Sequence, residues 1–347
     1  MIARPVLAAL AAALLFGAGT PLSKSLLGNA SPWMLAALLY LGSGAGLALV
    51  RLLGSAQRAR LAPNELKWLA GAIVSGGVIG PVLLMLGLAA MPASSASLLL
   101  NAEAVFTALI AWIVFRENVD SRVFLGFVCI VAGAALVSWR GSLEWSGWRP
   151  SLLVLGACLA WGIDNNLTRK VSLTDASWIA MVKGLAAGST NLVLAIALGA
   201  SLPSLPVVAG AVIVGFASYG ASLTLFVVAL RGLGTARTGA YFSVAPFFGA
   251  IVAIAWLGDP LTWPLVAAGV LMAIGVALHL AERHEHNHSH EAMTHTHEHV
   301  HGEADEHHMH GHDLPVAPGT RHTHEHRHEP LAHTHAHYPD THHRHQH

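Results

Sequence analysis

Apolar stretches near 20 residues long, separated by short polar, glycine- or proline-bearing turns, recur along residues 1–281. At 1.5 Å of rise per residue, each is long enough to cross a hydrocarbon core about 30 Å thick. The pattern predicts helices at 3–22, 32–53, 66–88, 92–114, 122–139, 150–169, 176–199, 206–230, 235–257 and 261–281. From residue 282 onward, polar residues alternate with histidine and large apolar side chains almost vanish. That stretch has nothing from which to build a core and reads as disordered. The fold expected is an all-α integral membrane protein of ten transmembrane helices with a disordered C-terminal tail.

The ten spans divide into two similar sets of five. Phe16-Gly17-Ala18-Gly19-Thr20-Pro21-Leu22-Ser23-Lys24 lies 145 residues before Trp161-Gly162-Ile163-Asp164-Asn165-Asn166-Leu167-Thr168-Arg169. The two share an aromatic-Gly start and a Leu-hydroxyl-cation end. Ala102–Gly126 matches Ala245–Gly269 at nearly the same offset, with Glu117 or Asp259 closing the preceding span. An odd number of spans per set requires opposite orientations in the membrane. The domains expected are therefore 1–141, 149–281 and a tail, 282–347. Inverted repeats place a cargo site at their interface near the bilayer midplane.

Composition agrees with the pattern: 54% of the chain is hydrophobic and 11% charged, against roughly 25% charged in a soluble domain. The net charge of zero hides a partition. Residues 1–281 hold 15 Lys and Arg against 8 Asp and Glu, while the tail holds 4 against 11. With the N-terminus inside, eleven basic residues fall on the cytoplasmic side and three (Lys24, Arg140, Arg149) outside, so both termini are expected in the cytoplasm of a multi-pass cell-membrane protein. Cys129 and Cys158 both sit in apolar runs and offer neither a disulfide framework nor a CxxC metal site. The N-terminal apolar run has no clear cleavage site and reads as a retained first helix.

On these motifs residues 1–281 resemble the drug/metabolite transporter superfamily, in its ten-helix EamA branch. The resemblance rests on Phe16-Gly17 and Trp161-Gly162, on Phe115-Arg116-Glu117 and Leu257-Gly258-Asp259, and on Ala245-Pro246-Phe247. The first repeat departs from the last pattern, carrying Glu103 where the second has Pro246. The resemblance implies transport and no enzyme activity. The superfamily carries amino acids, drugs, sugars and other solutes, so it leaves the cargo open. The histidine-rich extension resembles a smaller group linked to nickel and cobalt resistance.

Ionisable groups inside spans are costly and by default mark a pathway. Glu103 lies near mid-depth with Asn101 close by. Asp164, Asn165 and Asn166 bring one carboxylate and two amides to the sixth span, and Lys183 is a candidate partner for Glu103 or Asp164. The alternatives are a neutral, hydrogen-bonded Glu103, a helix-end polar cluster at 164–166, and a lysine reaching for the headgroups. Glycine pairs 42/46, 76/80 and 184/188 have GxxxG spacing, which suits packing within the chain and, less readily, a homodimer. Scattered methionines read as core filling.

The tail carries 23 of the 24 histidines. Its candidate metal ligands are His284, His286, His288, His290, His295, His297, His299, His301, His307, His308, His310, His312, His322, His324, His326 and His328. Neutral imidazole suits zinc, nickel, copper and cobalt and does not choose sharply among them. The HExxH matches at 284, 297 and 324 follow from the density of histidine, with no rigid catalytic helix to hold them. The leading expectation is a proton-coupled exporter of divalent transition metal, nickel or cobalt first and zinc next, needing no cofactor beyond metal on the tail. The rivals are an amino-acid, drug or metabolite exporter with a metal-sensing tail, and a membrane-tethered metal store. Lipid is the expected environment, and nothing points to nucleic acid.

Overall fold

A computed structural model describes residues 4–54, 61, 63, 65–115, 121–139, 145–171, 175–280, 284–290, 293–300, 321–328 and 331–337. It divides into two compact units, 1–282 and 283–347.

Among the described residues the elements of the first unit are all helical. Its elements are α1 (Arg4–Leu27), α2 (Pro32–Leu53), α3 (Leu66–Ala72), α4 (Gly80–Ala89), α5 (Ala93–Leu99), α6 (Ala102–Phe115), α7 (Ser121–Ser138), α8 (Trp145–Thr168), α9 (Ala176–Ala197), α10 (Leu205–Gly215), α11 (Ser222–Phe242), α12 (Ala245–Leu257) and α13 (Trp263–Leu280). Taking α3 with α4, α5 with α6 and α10 with α11 as one interrupted span each, the described elements number ten, as expected, though the bounds of the eighth and ninth differ. Among the described residues six helices are long and apolar enough to cross a membrane, and three shorter apolar ones accompany them. The sixth span, α8, carries the polar run at 164–166.

Local chemistry fixes several ends. Ser31 caps α2 by accepting from Met34 N at 3.3 Å, with Pro32 in the first turn. Asp175 caps α9 by accepting from Trp178 N at 2.9 Å. Gly258, at φ +71°, ends α12 in the left-handed conformation that glycine adopts without strain.

Three features depart from the expected helices. The third and eighth spans each contain a π-helical segment, Ile73–Ile79 between α3 and α4 and Phe216–Ala221 between α10 and α11. They begin 143 residues apart, the offset of the repeat. The fourth span breaks at Leu100–Asn101, where Asn101 Nδ2 donates to Leu98 O at 2.9 Å. Finally, the expected break between 230 and 235 is absent: helix continues from Leu205 to Phe242 and stops at Ser243–Val244. Nothing at 230–235 forbids helix, whereas the ring of Pro246 would clash with the carbonyl of residue 242 in a continued helix. The two breaks again lie at equivalent repeat positions.

The expected GxxxG pairs pack within the chain. Gly42 and Gly46 face Val212 and Phe216, Gly184 meets Gly44, Gly188 meets Leu41, and Gly80 meets Trp161. The aromatic-Gly motifs mark crossings between the two sets of five: a Cβ on Gly17 would meet Ala245 O, and one on Gly162 would meet Phe106 and Thr107. Asp259 accepts from Ser94 N at 2.8 Å, capping the start of α5 from the other set. Glu117 lies outside the described residues.

In the second unit the described segments are extended, where composition predicts disorder. β1 (His284–His290) pairs antiparallel with β4 (Leu331–His337), and β2 (Met293–Val300) with β3 (Arg321–His328). Histidine at every second residue has the period of a strand, and alternating polar residues can sustain backbone pairing without supplying a core.

Candidate functional site

The break in the fourth span places Glu103 in the first turn of α6, where it faces α8. Asn165 Nδ2 donates to Glu103 Oε1 at 2.9 Å and to Thr107 Oγ1 at 3.2 Å. Its neighbour Asn166 donates to Thr107 O at 3.0 Å and to Gly162 O at 2.8 Å, tying α8 to α6 through backbone that the Gly162 crossing brings close. Asn101, Glu103, Asn165 and Asn166 line one cavity of about 520 Å³. Its other walls include Phe16, Phe242 and Pro246, with Thr107, Arg169 and Ser243 adding polar groups.

Asp164 turns the other way around α8. Lys183 Nζ reaches both of its oxygens, at 2.5 and 2.6 Å, and Thr168 Oγ1 donates to Oδ1 at 2.8 Å. The aspartate is 6% exposed. Of the two partners the sequence offers Lys183, the structure selects Asp164. The carboxylate sits against the π-helical segment of the third span, where a Cβ on Gly76 would lie 1.9 Å from Asp164 Oδ2. The backbone of that segment is held from three helices: Gly76 O accepts from Tyr40 Oη at 2.9 Å and Trp161 Nε1 at 2.8 Å, and Gly77 O from Asn191 Nδ2 at 3.1 Å.

The six pathway residues named from the sequence therefore form two clusters on two faces of α8. Four line the cavity, and Asp164 with Lys183 makes a buried ion pair behind it. Sequence reasoning missed Tyr40, Gly76, Thr107 and Asn191. Tyr40 had a legible signal, since it precedes Lys183 by the repeat offset of 143. Gly76 likewise precedes Tyr219 by 143, and Gly19 precedes Asp164 by 145. The cluster of Asp164 and Lys183 from the second set with Gly76 from the first therefore has as its repeat counterpart Gly19 and Tyr40 from the first set with Tyr219 from the second. There the two tyrosine rings lie 5.7 Å apart at a tilt of 37°, and Gly19 lies close to Ser218.

Of the tail ligands named above, His301, His307, His308, His310 and His312 lie outside the described residues. The other eleven lie on β1, β2 and β3. Among the described residues no group of three or more His, Cys, Asp and Glu converges on a point that would hold a metal ion.

A family profile, the EamA-like transporter family, matches this chain twice, at residues 3–139 and again at 148–281. A protein called an uncharacterized transporter, from Methanothermobacter thermautotrophicus, is 30% identical over 286 residues, covering 76% of this chain and 82% of its own. A crystal structure described only as that of a protein matches with a TM-score of 0.57, covering 80% of this chain and 96% of its own at 16% identity. At that identity the likeness speaks for the fold alone.

Proposed function

Because the chain belongs to the EamA-like transporter family, a multi-pass membrane transporter and no enzyme, we propose that its cargo is a small organic solute bearing an amine, moved by a secondary mechanism, with a tail that binds divalent transition metal separately. The observation that carries this reading is the chemistry of the cavity. One carboxylate, Glu103, stands in a lining of aliphatic and aromatic side chains with a few amides, hydroxyls and the Arg169 guanidinium. The volume is in the range of pockets that enclose small organic ligands, whose apolar walls bury the body while a few polar groups orient it. An amine would meet Glu103, and an apolar body would meet Phe16, Phe242 and Pro246. A bare divalent transition ion gains less here. It favours imidazole or thiolate, and the lining has neither.

In this reading residues 1–141 and 149–281 are oppositely oriented halves that rock about the cavity. Glu103 exchanges cargo for a proton, both termini are cytoplasmic by the distribution of Lys and Arg, and export is the direction that the family resemblance favours. A second reading, export of nickel, cobalt or zinc, is favoured by the tail's 23 histidines. In that reading the tail raises the local ion concentration by tethering.

Proteoliposomes loaded with labelled amino acids, organic amines or nickel separate the two. The first reading expects efflux of an amine-bearing solute that falls at least tenfold with Glu103→Gln and is unchanged when 282–347 is removed. Nickel efflux that needs the tail, with no organic solute moved, overturns it.

A further inference from the structure

Among the described residues the register of the tail places histidine opposite histidine at six rungs. In one ladder His284 faces His337, His286 faces His335 and His288 faces His333. In the other His295 faces His326, His297 faces His324 and His299 faces His322. The two ladders keep one register: β1 ends with His290 opposite Leu331 and β2 begins with Met293 opposite His328, so three steps along one arm match three along the other.

The sequence carries this arrangement independently of the backbone. Along the first arm the alternation slips phase once, from even positions (284–290) to odd ones (295–299). Along the returning arm it slips once more, from even (322–328) to odd (333–337). The slips fall at mirrored places in the pairing. A slip in one arm alone would have set half of the histidines opposite something else.

We propose that the tail is a two-armed metal clasp, in which each opposed histidine pair takes one borderline divalent ion (zinc, nickel, cobalt or copper) and metal closes 284–300 onto 321–337. The inference rests on the reading that the tail binds metal and adds where and how. Directly opposed residues of an antiparallel pair have Cβ atoms about 4.5–5.5 Å apart, close enough for two imidazoles to share one ion. Successive rungs on one face are about 6.8 Å apart, so the rungs act as separate sites. A two-imidazole site leaves the remaining coordination positions to water. Such an ion stays exchangeable, as a buffer or sensor requires, in contrast to the closed four-ligand sites that hold structural zinc. Bringing the two arms together costs chain entropy once, after which each further ion meets arms already paired. The clasp therefore closes cooperatively.

The test uses the full-length protein in lipid nanodiscs, with Cys129→Ser and Cys158→Ser and spin labels on cysteines at the opposed positions 290 and 331. A register-broken variant exchanges each histidine of 322–326 with the residue after it and leaves 333–337 unchanged. Every histidine is kept, while no single register now opposes more than about half of the pairs. The parent is expected to bind about six zinc ions, with the labels drawn together as zinc is added. The variant should bind about three zinc ions as tightly and the rest roughly tenfold more weakly, their second ligand no longer held close. Zinc binding and label approach that are the same in both proteins overturn the clasp and leave a register-free polyhistidine. Zinc binding by the parent without label approach overturns it too. No zinc binding by either removes the metal-binding reading as well.

Discussion

At the residue scale, the Asp164–Lys183 pair governs what the membrane interior tolerates. Two charges withdrawn from water are held by mutual attraction and by Thr168, and removing one leaves the other uncompensated at a cost of about 3–5 kcal/mol. Lys183→Met is therefore expected to lower the thermal stability of the detergent-solubilised protein sharply, and Asp164→Asn less so, because an amide can still use Thr168. Combining them should recover much of the loss, since a neutral pair has no unpaired charge to bury. A double variant whose loss equals the sum of the singles would mean that the two side chains do not act as a pair. Glu103 has a different place: it faces the cavity through Asn165 and Thr107, so Glu103→Gln is expected to spare stability while removing transport.

At the element scale, helix existence was legible because apolar length is a strong signal, and the repeat was legible because two motifs recur at nearly one offset. The interruptions were harder to read. A π-helical segment leaves no compositional mark, and its backbone groups are matched by Tyr40, Trp161 and Asn191 from other helices, pairings that exist only after folding. The break before Pro246 could be read from the proline, yet glycines near 232 and 234 invited a break where none forms. In the site, Glu103, Asn165 and Asn166 stood out as polar groups in apolar surroundings. Gly76 did not, because its role is the room it leaves. Gly76→Ala sets a methyl group on Asp164 Oδ2, and overpacking of this kind costs about 1–3 kcal/mol. Gly28→Ala, which meets nothing within 4 Å, is the matched control. Similar melting temperatures for the two variants would refute the close approach of the third span to α8.

At the scale of the whole molecule, α2 and α9 are joined at the end that bears Asp175. Arg51 Nη1 donates to Asp175 Oδ1 at 2.9 Å and also to Ser177 Oγ. Partial burial pushes the Asp175 carboxyl up, but hydrogen bonds from Ser177, the Trp178 amide and Arg51 outweigh it and hold the group below its ordinary value. A carboxyl lowered on folding stabilises above its unfolded value near 3.8, and that contribution is lost as pH falls through the folded value. The stability gap between the parent and Asp175→Asn should therefore be constant from pH 5 to pH 8 and close only below about pH 3.8, as read from melting curves. A gap that changes around neutrality would assign the bridge to other groups.

The Tyr40 and Lys183 positions, equivalent by repeat and opposite in chemistry, make the halves non-interchangeable. A chain assembled from two copies of the second half would lose Tyr40 and would set each Asp164–Lys183 pair against Tyr219, where Gly76 now leaves the room. One assembled from two copies of the first would have no intramembrane aspartate at all. Equivalent positions thus carry different chemistry in the two sets of five, and a working dimer of either half alone is not to be expected.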